Sequence, residues 1–503
     1  MLRPLISRTE RIPRRPASAM SRRESERGVT LALVAVGMFA IIAMAALSID
    51  IATLYQANTE AQRAADAAAL TAARVISMSG MTGDPNNSSN SWQMVCGTNP
   101  GTATQAAQAV AQQSQNMVAG ATTTATVSYG TGTGVSDCSS LVGTSGAASF
   151  AVNPIITVKV TQSNLRTYFS RIWFQSVSSI SASATAEAYN PSNSALAGTA
   201  LVPVQPRCVK PWVVPNYDPL HPPLDKTSGK YCSQAGEPTC TTLVTTSSGA
   251  ITTPGVTVAN GVGVIGEEFT LVPDCTGTGT PCTFSTQPQA NFTLPTRMPN
   301  LQYVPGQVNN AVAVATGGIS CKDASSQYAQ AIAGCDQTTQ FQCGVPLGGY
   351  NVDALDWNPP LGDTGNGAQC LIHSSAPALG EGQDALAAGG TYRYAYPFQI
   401  QVGSNSPVTG LVPATSQITS SDSIVSFPIY DNTATTLGSG AETPVTIVGF
   451  LQAFINNVNP DGTVDVVVMN IVGCGSGAAT VGTTPLTGSS PVPVRLITPP
   501  PSS

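Results

Sequence analysis

Residues 27–73 read RGVTLALVAVGMFAIIAMAALSIDIATLYQANTEAQRAADAAALTAA, and the reading of this stretch decides the rest. Val29 to Ile49 is a run of 21 residues without a charge. Bilayer hydrocarbon is about 30 Å thick and takes about 20 helical residues at about 1.5 Å each, so the length fits one crossing. Upstream, the first 27 residues hold eight arginines and three glutamates, a net of +5. The whole chain carries −6, which leaves −11 after Arg27. A basic arm before the run and Asp50 just after it orient the segment with its N-terminus in the cytoplasm and the body exported. The run reads as a retained signal anchor. Ala43-Met44-Ala45 resembles the small-residue site of a cleaved secretory signal, but the run exceeds the about 7–15 residues of such a signal. A buried soluble helix that is apolar all round would need a large protein around it.

The helix is expected to continue beyond the apolar run. From Asp50 to Ser77 there is no Pro or Gly and alanine is abundant, and Ala is the best helix former. Ile51, Leu54 and Tyr55, then Ala69, Leu70 and Ala73, fall at helical spacing. Glu60, Arg63 and Asp66 offer i,i+3 pairs. Gly80, Gly83 and Asp84-Pro85 end the helix. A continuous helix from Val29 to Ser77 would be about 73 Å long; a membrane helix followed by a separate short helix is the alternative.

These residues resemble the N-terminal segment of the TadE/TadG-like family of Flp (Tad) pilus-assembly proteins. The resemblance rests on Arg27-Gly28, Asp50, Tyr55 and the run Gln62-Arg63-Ala64-Ala65-Asp66-Ala67-Ala68-Ala69-Leu70. It makes Gly28, Asp50, Tyr55, Gln62, Asp66 and Leu70 the motif positions. It implies a non-catalytic, inner-membrane component of a pilus machine, of the TadG type given the length, with pilins or machine proteins as partners. Arg27-Gly28 also raises cleavage by a prepilin peptidase. Its substrates usually carry glutamate five residues beyond the cut, where this chain has Leu33, so Gly28 reads instead as the start of the helix. Some members resemble von Willebrand A domains. The Asp-x-Ser-x-Ser metal signature is incomplete both at Asp323-Ala324-Ser325 and across Ser421–Val425, so no metal residues are carried over.

Beyond the anchor, Thr102 to Val118 reads as a weakly amphipathic helix. Ala121–Tyr129, Ile156–Gln162 and Ser178–Tyr189 alternate like strands, with a short aromatic helix over Leu165–Phe174. By analogy alone this is a small pilin-like α/β module. Seven prolines between Pro203 and Pro223 mark a linker-like stretch. Short β-prone runs follow, suggesting sandwich-like or irregular β structure. A closing unit, either strand-turn-strand or strand-helix-turn-strand, is expected over Phe427–Asp431, Val445–Val458 and Val464–Cys474, with a turn at Asn459–Gly462. The expected fold class is therefore α+β and membrane-anchored. Its parts are an arm (1–27), an anchor (28–50), a helical extension with the module (51–190), a β-rich disulfide-containing periplasmic region (191–483) and a Pro/Ser-rich disordered tail (484–503).

All 12 cysteines lie between Cys96 and Cys474, after the apolar run, as an oxidising compartment permits. Three pairs are spaced for local disulfide-closed loops: Cys232 with Cys240, Cys275 with Cys282, and Cys335 with Cys343. Without a C-x-x-C, and with only His221 and His373 in the chain, zinc is a weak reading. Only 10% of residues are charged, against roughly a quarter in an average soluble protein. The acidic balance repels phosphates, which argues against nucleic acid as a partner. There is no H-E-x-x-H, no G-x-S-x-G and no Walker loop. His221 sits among prolines, and His373 reads as a satisfied structural histidine. Asp353, Asp356, Asp363 and Asn366 depart from the EF-hand spacing and read as turn residues. The expectation is no enzyme, no cofactor, no metal site and no small-molecule substrate, with the lipid bilayer as one partner. An adhesin beyond the outer membrane, or an anchored or secreted carbohydrate-binding or hydrolytic protein, is the alternative.

Overall fold

The computed structural model describes the chain from Ser21 to Ile497 with interruptions; the longer stretches outside it are 1–20, 83–90, 114–120, 143–149, 167–176, 191–203, 221–240, 274–289, 313–325, 348–361, 475–485 and 498–503. A single helix, α1, runs unbroken over Ser21–Ser77, 57 residues. The continuous form is the one observed. Its apolar part is long enough to cross a membrane. The same helix then becomes the core helix of a small module. Ala57, Ala61, Ala64, Ala65, Ala68, Ala69, Ala72 and Ala73 are all buried at 1% exposure or less.

Behind α1 come α2 (Ser91–Cys96) and α3 (Thr102–Gln113), then β1 (Thr122–Tyr129), β2 (Ile155–Arg166) and β3 (Val177–Ala188). These strands pair antiparallel in the order β1–β2–β3. Ile156, Val158 and Val160 of β2, and Ala182, Ala184 and Ala186 of β3, alternate along their strands and are buried, as period 2 requires of one sheet face. Small side chains on both α1 and β3 let helix and sheet approach closely. Ala103, Ala107 and Ala111 give α3 the same kind of face, with i,i+4 spacing. A disulfide, Cys96–Cys138, holds α2 to the short turn at Cys138–Leu141. The aromatic stretch expected as a helix over Leu165–Phe174 begins as strand, since Leu165 and Arg166 belong to β2; the rest lies outside the described residues.

The body contributes β4 (Val204–Pro206), β5 (Trp212–Pro215), β6 (Glu268–Pro273), β7 (Ala290–Phe292), β8 (Pro299–Pro305), β9 (Ala311–Val312), β10 (Cys335–Asp336), β11 (Pro346–Leu347), β12 (Ala385–Leu386), β13 (Ile400–Gln401), β14 (Gln417–Ile418), β15 (Ile424–Tyr430), β16 (Val445–Val458), β17 (Val464–Gly473), β18 (Leu486–Gly488) and β19 (Val494–Ile497). Two short helices, α4 (Gln327–Ala333) and α5 (Gly362–Leu371), pack together. Six strands close into a ring. β16 pairs antiparallel with β15 and β17, β15 runs parallel to β5, β5 antiparallel to β8, β8 parallel to β6, and β6 antiparallel to β17. The body is thus a small closed barrel rather than a sandwich. Register shifts on β16, between Gln452 and Ala453 and between Ile455 and Asn457, supply local bending of the kind closure needs. Trp212 lies 6.2 Å from Tyr303 and 6.0 Å from Phe427 between ring centroids, and all three are fully buried.

Two expectations are corrected here. The proline-rich stretch is no linker: Trp212, Val213 and Val214 form a buried barrel strand. The strand is only four residues long and its last position is Pro215, so few ladder donors are lost. Nor is the C-terminal tail disordered where it is described. β19 adds an antiparallel edge to β3, pairing Val494 with Ala188 and Ile497 with Thr185. Arg495 reaches Glu187 at 2.9 Å and lies over the Tyr189 ring. Val492 is fully buried, so apolar anchoring overrides the polar composition. One contiguous buried cluster consequently runs from Ala61 to Val492, across the residue-190 boundary.

Because the α1–sheet contact has no spare volume, Ala65→Leu is expected to destabilise the protein by about 1–3 kcal/mol through overpacking. Urea unfolding followed by near-UV circular dichroism measures it, and an unchanged midpoint would contradict this packing.

Candidate functional site: the long helix and its junction with the body

Along α1 the surroundings change within one turn. Leu31, Val36, Phe39 and Met44 are open on all faces, as are Gly28 and Gly37, around which no other atoms approach. Ala46 and Asp50 are the first buried positions, Asp50 at 3% exposure. Its backbone carbonyl accepts from Thr53 Oγ1 at 2.8 Å, and the residue is engaged within the fold. Asp50 is therefore covered within the folded chain.

The other motif positions divide between two environments. Gln62 Nε2 donates to Asp66 Oδ1 at 2.8 Å and to the Ser183 carbonyl at 3.3 Å, so it ties α1 to β3. Asp66 is thus held by Gln62. Leu70 packs partly buried against the core. Tyr55, 75% exposed, and Gly28 lie on open helix surface. The structure thus joins Gln62 to Asp66 and to β3, packs Leu70 against the core, and leaves Gly28 and Tyr55 on open helix.

Where α1 ends, the body takes hold of it. Asn470 Nδ2 donates to the Ser77 carbonyl, and Tyr396 Oη donates to the Ser79 carbonyl at 2.7 Å. Burial pushes the Tyr396 hydroxyl far above its ordinary range. Gly80 adopts φ +70°, and a Cβ there would come within 2.6 Å of Ile265, so this turn requires glycine. Beside the junction lies a cavity of about 400 Å³, lined by Val75 of α1, Met78 just past its end, Ala106 of α3, Phe398, Ile418 and Met469.

The disulfide expectations fare unevenly. Cys335 bonds to Cys208, 127 residues away, with Cα atoms 4.5 Å apart. This corrects the local pairing of Cys335 with Cys343. β9 and β10 bring Cys335 beside the barrel strands, a proximity that sequence spacing does not reveal. Cys343 itself lies outside the described residues. The expected loop between Cys232 and Cys240 falls outside them too, as does the one between Cys275 and Cys282. The bridges with both ends among the described residues are Cys96–Cys138 and Cys208–Cys335. Cys370 and Cys474 are also disulfide-bonded.

Next to the Cys208–Cys335 bridge is a group that sequence reading missed. Lys210 is buried, its Nζ donating to the Gly334 carbonyl at 2.5 Å, and burial pushes its pKa down to about 7, partly offset by Asp422. Nothing in its proline-rich neighbourhood signals this. His373 Nε2 lies 3.0 Å from Asp422 Oδ2, while its Nδ1 is buried without a partner. The nearby Ser421 hydroxyl donates to Asp384 at 2.6 Å, so it is not aligned with the imidazole as a nucleophile. Asp363 and Asn366, weighed above as turn residues, lie in helix α5, whereas His221, Asp353 and Asp356 are outside the described residues. Among the described residues no three His, Cys, Asp or Glu side chains converge in a metal-holding group.

Residues 28–75 match the model of a family described as putative Flp pilus-assembly TadE/G-like. This stretch is similar to that family. It occupies about a tenth of the chain and ends where the body begins to grip α1. No curated protein and no solved structure matches the chain. The matched stretch therefore includes the open apolar half of α1, Asp50 and the alanine face that packs on β3, and it does not extend to the barrel.

Lys210 gives a pH signature. Its folded pKa lies below its ordinary value of 10.5. The unfolded state therefore holds the extra proton between those two values, and stability rises with pH across that window. Urea midpoints are expected to climb between about pH 7 and pH 9, and Lys210→Met to flatten the climb while raising stability at neutral pH. An equal slope in both proteins would refute the assignment.

Proposed function

We propose that this chain is a single-span, non-catalytic component of Flp/Tad-type pilus assembly. In this reading residues 1–27 remain in the cytoplasm, 28–50 cross the inner membrane, and the module and barrel stand on the far side. The body contacts pilins or machine subunits by surface complementarity, without turnover. One observation carries the reading: the TadE/G-like match coincides with a helix whose first half is open and apolar and whose second half is the core of a folded module. Supporting it are the +5 arm against a −11 remainder and the disulfides in the body.

Mechanistically, an unbroken helix is a strut. About 27 residues from Asp50 to Ser77 raise the body about 40 Å along the helix axis while the sheet braces that helix. The anchor fixes where the body stands, and the body offers the binding surface.

Deleting the gene is expected to abolish surface pili, with the full chain restoring them. The anchor is tested separately, because it should stay with membranes in alkaline carbonate while a C-terminal tag remains inaccessible from the cytoplasm. Extraction of the chain by carbonate, or normal piliation after deletion, would each sink the corresponding half of the proposal. Asp50→Leu is expected to lower piliation by disturbing the covered edge of the module; unchanged piliation would remove Asp50 from the mechanism.

A further inference from the structure

The two bridges whose ends are both described stand in opposite surroundings. Cys96 and Cys138 are fully buried. Cys208 and Cys335 are both partly open to solvent. Cys208 is also held at φ +58°, in the left-handed region that a residue with a Cβ rarely adopts. Such backbone strain persists only where its surroundings impose it, and it gathers at functional positions. The bridge is one of three ties across the same gap, between residues 207–211 and 326–335. Lys210, two residues after Cys208, donates from Nζ to the carbonyl of Gly334, the residue before Cys335, at 2.5 Å. Tyr328 Oη donates to the Pro211 carbonyl at 3.1 Å. Lys210 and Tyr328 are themselves buried. On the barrel side, the Lys210 N–H donates to the Ser426 carbonyl and the Gly306 N–H to the Pro211 carbonyl, each at 2.8 Å. The six-stranded ring closes through backbone pairing and does not depend on the bridge for closure.

We propose that the Cys208–Cys335 bridge is a thiol–disulfide exchange site, opened by a dithiol reductant and re-formed while the barrel stays folded. A thiolate of the reductant attacks one bridge sulfur, forming a mixed disulfide and expelling the other cysteine as thiolate. That thiolate takes up the proton the attacking thiol gave away. The reductant's second thiol, losing its own proton, then displaces the remaining cysteine, which is protonated in turn. The reductant ends as a disulfide and Cys208 and Cys335 as thiols, so two electrons and two protons have been transferred. Strained or exposed disulfides are the labile ones, and this bridge joins a left-handed cysteine to a partner that is equally open. After opening, the hydrogen bonds of Lys210 and Tyr328 still hold the two segments together. Re-closure is then a step between groups already in place. Lys210 is in this sense a positioning residue. The inference is independent of the pilus reading.

The test uses the full oxidised chain in detergent micelles. It is pulsed with dithiothreitol and quenched with iodoacetamide, and the alkylated cysteines are mapped by mass spectrometry while near-UV circular dichroism is followed in parallel. Cys208 and Cys335 are expected to be alkylated at least about tenfold faster than Cys96 and Cys138, with the near-UV signal retained. Equal rates for the two bridges, or opening of Cys208–Cys335 only as the near-UV signal is lost, would overturn the inference. Replacing dithiothreitol by oxidised glutathione should restore the same pair, and failure to restore it would overturn the reversible step. Lys210→Met, the more stable protein at neutral pH by the argument above, should nonetheless re-form the bridge about tenfold more slowly. A merely structural role would not slow closure in a stabilised protein. Unchanged re-formation in that variant would overturn the positioning role of Lys210.

Discussion

The contact between the alanine face of α1 and the inner surface of β2 and β3 is what the remaining structure depends on. Eight alanines from Ala57 to Ala73 are sealed against the module, and a larger side chain would hold the sheet away. Alanine serves two requirements here. It is the best helix former, which keeps 57 residues in one rod, and it is small enough for the sheet to come close. Conformational freedom between the apolar half and the folded body is thereby removed, since the same rod belongs to both.

From that contact the rest follows in layers. β3 carries the small residues Ala182, Ala184 and Ala186 against the helix and accepts β19 on its far edge. The returning tail brings the end of the chain back to the module. Asn470, Tyr396 and Gly80 close the other side, where the barrel meets the end of α1. The two regions share a single buried cluster, so a disturbance of the helix–sheet contact would reach the barrel through α1 itself. The Cys208–Cys335 bridge and the buried Lys210 lie together on the barrel's flank, tying chain segments far apart in sequence.

Much of the module was legible in the sequence because its signals are local. Helical spacing marked α1 and α3, and alternation marked β1, β2 and β3 to within a few residues of their observed ends. Of the closing pair, β17 was plain, with Asn459–Gly462 as the turn before it, whereas the sequence left β16 open between strand and helix. The body was not. Its strands β4, β5 and β7 are three or four residues long, too short for a period to register. Proline beside β5 masked a strand whose value lies in Trp212 packing on Tyr303 and Phe427. The tail misled for the same reason, since its composition is polar while Val492 and β19 are held by distant partners. Among the motif positions, Gln62 bonds both Asp66 and β3, a role that the pattern did not disclose.

By itself the sequence determined an apolar run of membrane-spanning length, the charge step across it, the alanine-rich continuation and the resemblance these carry. All of these are written in neighbours a few residues apart. Only the tertiary structure decided that Asp50 lies covered, that six short strands close into a ring, that Cys335 meets Cys208, and that the tail completes the module's sheet. Each joins groups separated by tens to hundreds of positions. Such pairings are selected by which surfaces bury one another, a property of the folded whole that no window of sequence contains.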